Sequence, residues 1–125
     1  MSLKSPEYVN GHDLLRGKSV LVTAAAGAGI GFAAATRAVE EGARAIVISD
    51  IHEKRLQAAV EKLQKETGLA EVYGRIANVA AEDDVQGLIA FAEDKLGGVD
   101  ILINNAGLGT TRALVDMEDE EWHRV

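Results

Sequence analysis

The sequence predicts an α/β protein: a doubly wound parallel sheet with helices on both faces. Four short apolar runs recur along the chain, segments of helical period separate them, and a glycine-rich turn follows the first run. The runs are "KSVLVTAA" (18–25), "ARAIVISD" (43–50), "AEVYGRIANV" (70–79) and "VDILINNA" (99–106). Their β-branched content and near-continuous apolarity read as strands buried on both faces. Between the second and third runs, Leu56, Ala59, Val60 and Leu63 follow the i, i+3, i+4, i+7 spacing. Val85, Leu88, Ile89, Ala92 and Leu96 repeat that stripe and extend it by a turn. Strand and helix in alternation imply right-handed crossovers and parallel pairing.

Residues 1–17 carry Pro6, Gly11 and Gly17 without a period and read as an N-terminal extension, lying on the domain or mobile. Residues 18–125 form the domain proper. At its far end, Asp116 followed by Asp119 suits a capped helix start, with Trp122 and Val125 as the apolar face.

Composition narrows the function. With 20 acidic and 13 basic side chains the net charge is −7, which repels phosphate backbones and anionic head groups, so neither nucleic acid nor a membrane is the expected partner. The chain has no cysteine, which removes disulfides and thiolate metal sites and points to a reducing, cytoplasmic compartment. His12, His52 and His123 share neither a helical face nor ligand spacing, so no metal site is expected.

The stretch "VTAAAGAGIGFAAATRAVEEGA" (22–43) places Gly27, Gly29 and Gly31 between a strand and a helix. In a doubly wound sheet that turn opens at the point where strand order reverses, and the helix beginning there aims free N–H groups and its positive dipole end outward. Glycines would let the turn close with positive φ and let an anion approach the amides. The G-x-G-x-x-G fingerprint itself fails, because Phe32 stands where the third glycine belongs; a Gly/Ala-rich packing turn is the lesser alternative. Two further features favour a ligand. Asp50 closes the second strand 19 positions after Gly31, where an acid can accept hydrogen bonds from a ribose, and "NNAG" (104–107) ends the fourth strand at the same sheet edge.

Together these residues resemble the short-chain dehydrogenase/reductase family over nearly all of residues 12–125. The family pattern T-G-x-x-x-G-I-G maps onto Ala24 to Gly31 with "GIG" intact, and "NNAG" matches unchanged. The resemblance implies a Rossmann-like sheet in the order 3-2-1-4, incomplete relative to the family, and a dinucleotide-binding half-domain. It implies contacts from Ala25, Gly27, Gly29, Ile30, Gly31, Asp50, Asn78, Val79, Asn105, Ala106 and Gly107. The cofactor expected is NAD, since a carboxylate at Asp50 pairs with a 2′-hydroxyl and repels a 2′-phosphate; NADP is the second choice, because Lys54 and Arg55 stand close by.

Two departures accompany the match. The family's leading Thr-Gly falls on Ala24-Ala25, with Thr23 one place early, and the usual Asp-Val after the third strand is Asn78-Val79. The Asn carbonyl can accept a hydrogen bond from an adenine amino group, but without the charge.

The family's catalytic Ser and Tyr-x-x-x-Lys have no counterpart here. Tyr8 is followed four places on by His12, and Tyr73 by Ala77. The chain therefore reads as the cofactor-binding half of a protein about twice its length. That parent would be an NAD(P)-dependent oxidoreductase of a small ketone or secondary alcohol, and a homo-oligomer as relatives commonly are; the 125 residues alone would be inactive. Thr110, Thr111 and Arg112 follow "NNAG" in a loop that lines the substrate cleft in relatives, and a plain surface loop is the equal alternative. The competing reading is a non-catalytic dinucleotide-binding or sensing module. Methyl transfer from S-adenosylmethionine is disfavoured, because no acid stands beside the glycine loop.

Overall fold

The computed structural model describes residues 4–109 and 111–125. Its elements in chain order are β1 (Ser19–Val22), α1 (Ile30–Glu40), β2 (Ala45–Asp50), α2 (Glu53–Thr67), β3 (Val72–Ile76), α3 (Glu82–Leu96), β4 (Ile101–Ile103), a 3-10 turn (Leu114–Asp116) and α4 (Asp119–Arg124). The four strands form one parallel sheet in the order β3-β2-β1-β4. The Rossmann-like topology expected from the sequence is therefore the one observed.

Burial explains why these segments pair in parallel. β1 and β2 are central and covered on both faces. On one face Val20, Val22, Ile46 and Ile48 pack against Phe32, Ala35 and Ala38 of α1 and Leu56, Ala59 and Leu63 of α2. On the other, Leu21, Ala45 and Val47 meet Leu88, Ala92 and Leu96 of α3. The predicted stripes of α2 and α3 reach the sheet except at Val85, which joins neither core cluster. α2 and α3 end at Gly68 and Gly97, both in the left-handed region.

The strands are shorter than the runs that announced them. The apolar stretch after β1 continues because Ala25 and Ala26 fill the core beneath the loop, not because they extend the ladder. The edges are also less enclosed than uniform apolarity implied: Ile76 in β3 and Leu102 in β4 are each 47% exposed.

The tail differs from its expectation. Glu118, not Asp116, caps α4, in a capping box with Glu121, while Asp116 closes the 3-10 turn. Trp122 and Val125 are exposed and pack no core among the described residues.

Residues 8–15 lie on the C-terminal end of α1. The buried carboxylate of Glu41 accepts the amides of His12 (2.7 Å) and Leu14 (3.3 Å) and the Arg37 guanidinium (2.5 Å), and its carbonyl accepts the Leu15 amide. These main-chain amides, His12 foremost, hold the Glu41 carboxyl below its ordinary value, with Arg37 adding to them and burial opposing. No helix among the described residues is long and apolar enough to cross a membrane.

Candidate functional site

The site is built from the C-terminal ends of β1, β2, β3 and β4. Parallel pairing brings all four ends to one edge of the sheet, although the residues involved are spread over 85 positions from Thr23 to Gly107 in sequence and helices intervene. After β1 the chain enters the loop 23–29 and then α1, whose first residue follows Gly29 with no side-chain cap. Among the described residues the amides of Gly27 to Phe32 meet no protein acceptor. They carry the partial positive charge of the helix start.

The glycines of this loop work differently from the expectation. None of Gly27, Gly29 and Gly31 has a positive φ; the left-handed position is Ala24, at φ 53°. It is held there by Asn105, whose side-chain amide donates to the carbonyls of Thr23 (3.0 Å) and Ala24 (3.1 Å). Gly31 is required by contact, since a Cβ there would lie 2.5 Å from Asn105 Nδ2 and 2.7 Å from the Ala24 carbonyl oxygen. Around Gly29 there is open space, and a Cβ on Gly27 would meet only the Gly29 amide, at 3.8 Å.

Thr23 was missed as a site residue and is the pin of the arrangement. It is buried, and its hydroxyl oxygen accepts the amides of Asn105 and Ala106, both at 3.0 Å. A left-handed residue directly after a threonine is where a Thr-Gly pair would put its glycine. The loop is therefore read better with Thr23-Ala24 as that pair, which leaves four residues instead of three before Gly29. The signal was in the sequence as the threonine standing one place early.

A cleft of about 330 Å³ opens at this edge, and Asp50, Asn78, Val79, Ala106 and Gly107 are among its lining residues. The structure thus brings together residues from the ends of β2, β3 and β4. Ile30, Gly27 and Gly29 are exposed on the loop beside them, and Gly31 and Asn105 form the packed floor that joins α1 to the turn after β4. Ala25 corrects its expectation. It is wholly buried and its amide is spent on the Ser49 carbonyl (3.0 Å), so it seats the loop and presents nothing outward.

Asp50 has two main-chain partners: Oδ2 accepts the Ala26 amide (3.2 Å) and Oδ1 the His52 amide (3.1 Å). Asn78 is exposed. Its Oδ1 accepts the Ala80 amide (3.0 Å), leaving the side-chain carbonyl one further lone pair, and the Asn78 main-chain N–H donates to Asp84 Oδ2 (2.8 Å). Arg124 also lines the cleft, a contact that the bare sequence did not signal. Arg112 pairs with Glu121 at 2.8 Å, Thr111 is exposed, and Thr110 lies outside the described residues. A larger hollow of about 580 Å³ runs along β3 beside Leu56, Val60 and Phe91 and contains none of the expected site residues.

A parallel sheet with a helix start and a glycine loop at its switch point defines a Rossmann-type α/β protein. Residues 18–125 match the short chain dehydrogenase family model, and the chain belongs to that family. It is 46% identical over 121 residues to the (5R,7aS)-5-hydroxy-7a-methyl-1-oxo-2,3,5,6,7,7a-hexahydro-1H-indene-carboxyl-CoA reductase of Mycobacterium tuberculosis, covering 97% of this chain and 45% of that protein. The crystal structure of a short chain dehydrogenase from Mycobacterium smegmatis superposes with a TM-score of 0.92 at 48% identity, covering 98% of this chain and 50% of the other. L-sorbose reductase from Gluconobacter frateurii, solved with NADPH and L-sorbose, gives a TM-score of 0.79 at 32% identity over 86% of this chain and 40% of its own. The chain spans about half the length of the relatives it matches.

Proposed function

We propose that this chain is the dinucleotide-binding half of an NAD(P)-dependent oxidoreductase that interconverts a small-molecule ketone and a secondary alcohol. The single observation that carries the reading is the convergence of the glycine loop, Asp50 and the turn 104–107 on one sheet edge. The residues present suit a dinucleotide. Unpaired amides from Gly27 to Phe32 at a helix start favour a diphosphate, and the open space around Gly29 lets it approach the main chain. Asp50 can accept a ribose hydroxyl, Val79, Ala106 and Gly107 give the cleft an apolar wall, and the spare lone pair of Asn78 can accept an adenine amino group.

When bound, the cofactor supplies a hydride for the carbonyl carbon or accepts one from the alcohol. This chain's residues hold and orient that group, and Asn105 fixes the turn bearing Ala106 and Gly107 against the loop. Proton exchange with the substrate oxygen is a task that no Tyr-x-x-x-Lys pair in these 125 residues can take. The domain division at residue 18, the preference for NAD over NADP, the cytoplasmic location and the homo-oligomeric parent belong to the same proposal.

The test is a titration of NADH by fluorescence alongside a ketone-reduction assay of the same 125-residue protein. Saturable binding without turnover is expected, and Asp50→Ala should weaken the binding. Absence of binding removes the dinucleotide reading; turnover above background removes the claim that the proton-transfer residues lie elsewhere.

A further inference from the structure

β3 is an outer strand of the sheet and pairs with β2 alone among the described residues. The Ile46 amide donates to the Glu71 carbonyl and the Ala77 amide to the Asp50 carbonyl, so in this parallel ladder Glu71, Tyr73, Arg75 and Ala77 turn their main chain toward β2. Val72, Gly74 and Ile76 turn theirs outward. Val72 is already engaged: its amide donates to the Ala70 carbonyl (2.8 Å), and its own carbonyl accepts the Gln64 side chain (3.3 Å). The N–H and C=O groups of Gly74 and Ile76 have no such partner among the described residues.

The hollow of about 580 Å³ lies along this free edge, with an apolar floor from Leu56, Val60, Ile76 and Phe91. Gly74 lets α2 sit close to the strand, since a Cβ there would lie 2.9 Å from Val60 Cγ2 and 3.1 Å from Leu56 Cγ. The rim is charged. On the α2 side Glu53, Gln57 and Glu61 follow one another at i, i+4 and i+8, which puts them in one row beside the edge. On the α3 side the Arg75 guanidinium lies over the Phe91 ring, 5.6 Å from its centroid. Glu53, Glu61 and Arg75 are exposed and make no ion pair among the described residues; Lys65, one turn beyond Glu61, neither pairs with it nor lines the hollow.

Two spacings agree. Eight residues of helix put Glu53 and Glu61 about 12 Å apart along α2. Two side chains four residues apart on a strand point to the same side and are separated by about 13 Å. We infer that the β3 edge is a docking site for an extended segment of a partner protein with the pattern Lys-x-apolar-x-Lys, which adds to the sheet as a further strand. Its two lysines meet Glu53 and Glu61, and the apolar side chain between them enters the hollow over Leu56 and Val60. An acid at an alternate position, on the other side of the added strand, faces Arg75. Gly74 and Ile76 supply the main-chain hydrogen bonds. A second copy of this chain is the poorer occupant. Antiparallel pairing of β3 with its own copy about a two-fold axis sets the two rows of Glu53 and Glu61 against each other, and each copy carries a net charge of −7.

The docking site is independent of the dinucleotide reading, since none of the side chains that form it lines the cleft at the strand ends. The probe is the peptide Thr-Lys-Thr-Leu-Glu-Lys-Thr, acetylated and amidated at its ends. It is titrated into the 125-residue protein while amide exchange is followed residue by residue by NMR. Saturable binding with a dissociation constant below about 1 mM is expected, with slowed exchange at the Gly74 and Ile76 amides. Glu53→Gln and Glu61→Gln should each weaken the peptide about two- to fivefold, the scale of one exposed ion pair, and the peptide with both lysines replaced by glutamate should not bind. Both acids are exposed, so circular dichroism of the variants should match the parent. Slowed exchange at Ile101 to Ile103 instead puts the peptide on the opposite edge and overturns the inference. Protection of Gly74 and Ile76 that grows with protein concentration in the absence of peptide also overturns it, by making a second copy the occupant. Equal binding of the lysine and glutamate peptides, or no saturable binding of either, overturns it as well.

Discussion

Gly31 and Asn105 touch across the mouth of the sheet, and the contact leaves no room for a single methyl group. A Cβ at Gly31 would fall 2.5 Å from Asn105 Nδ2 and 2.7 Å from the Ala24 carbonyl oxygen. Gly31→Ala is therefore expected to destabilise the fold by about 1–3 kcal/mol, the usual cost of overpacking. Asn105→Ala in the same chain should recover only part of this, since the clash with the Ala24 main chain persists. Urea midpoints of the two variants and their combination check both statements.

Ala24 carries the one positive φ in the loop, at 53°. An L-residue there costs roughly 1–2 kcal/mol relative to glycine, and the added freedom of glycine in the unfolded chain offsets about 0.4–1 kcal/mol of it. Ala24→Gly is expected to raise stability by roughly 0.5–1 kcal/mol. A thermal melt should show a gain of roughly 2–4 °C. A fall in melting temperature would mean that the strain assigned to this residue is absent.

These two positions show where the sequence spoke clearly and where it did not. The stripes of α2 and α3 and the apolar strands could be read directly, because periodicity follows from which side faces the core. The convergence of Asp50, Asn78 and the turn 104–107 followed from parallel topology, which needs only the order of elements. The register of the glycine loop did not. Matching letters placed the leading pair at Ala24-Ala25, whereas the hydrogen bonds of Thr23 and the φ of Ala24 place it one residue earlier. Ala25 looked like a ligand contact for the same reason. The hydrogen bond of Asp50 to the Ala26 amide was out of reach, because it depends on how the longer loop folds back, whereas the nearness of Arg55 to Asp50 was legible in the sequence.

Glu41 and Asp100 make the fold sensitive to acid. Glu41 is held below its ordinary value first by the His12 amide; Asp100 is held below its own first by the Ser19 amide (2.8 Å) and then by the Ser19 hydroxyl. A depressed native value means that the unfolded chain binds more protons, so stability rises with pH through the window between native and unfolded values. The contribution is complete above the ordinary carboxylate range, about pH 4–4.5, and is lost as pH falls through the native values. Urea midpoints measured from about pH 7 to pH 3 should drop along this limb. Glu41→Gln and Asp100→Asn should start lower at neutral pH and show a shallower acid limb; an unchanged slope would remove these two groups as its source.

β4 decides how the 125-residue chain behaves in solution. Among the described residues it pairs with β1 alone, so its outer row of N–H and C=O groups has no strand partner. Leu102 on this strand is 47% exposed, and Leu108, Leu114, Val115 and Trp122 are exposed in the segment that follows. An unpaired edge flanked by apolar surface is a template for pairing with another chain. The chain by itself is therefore expected to self-associate, with a sedimentation or light-scattering mass that rises with concentration and a melt that depends on it. Leu102→Lys places a charge on the edge and should shift the distribution toward monomer at little cost, because the side chain it replaces is half in water. A monomer at every concentration, with a sharp and reversible melt, would show that the edge is not the sticky surface its exposure implies.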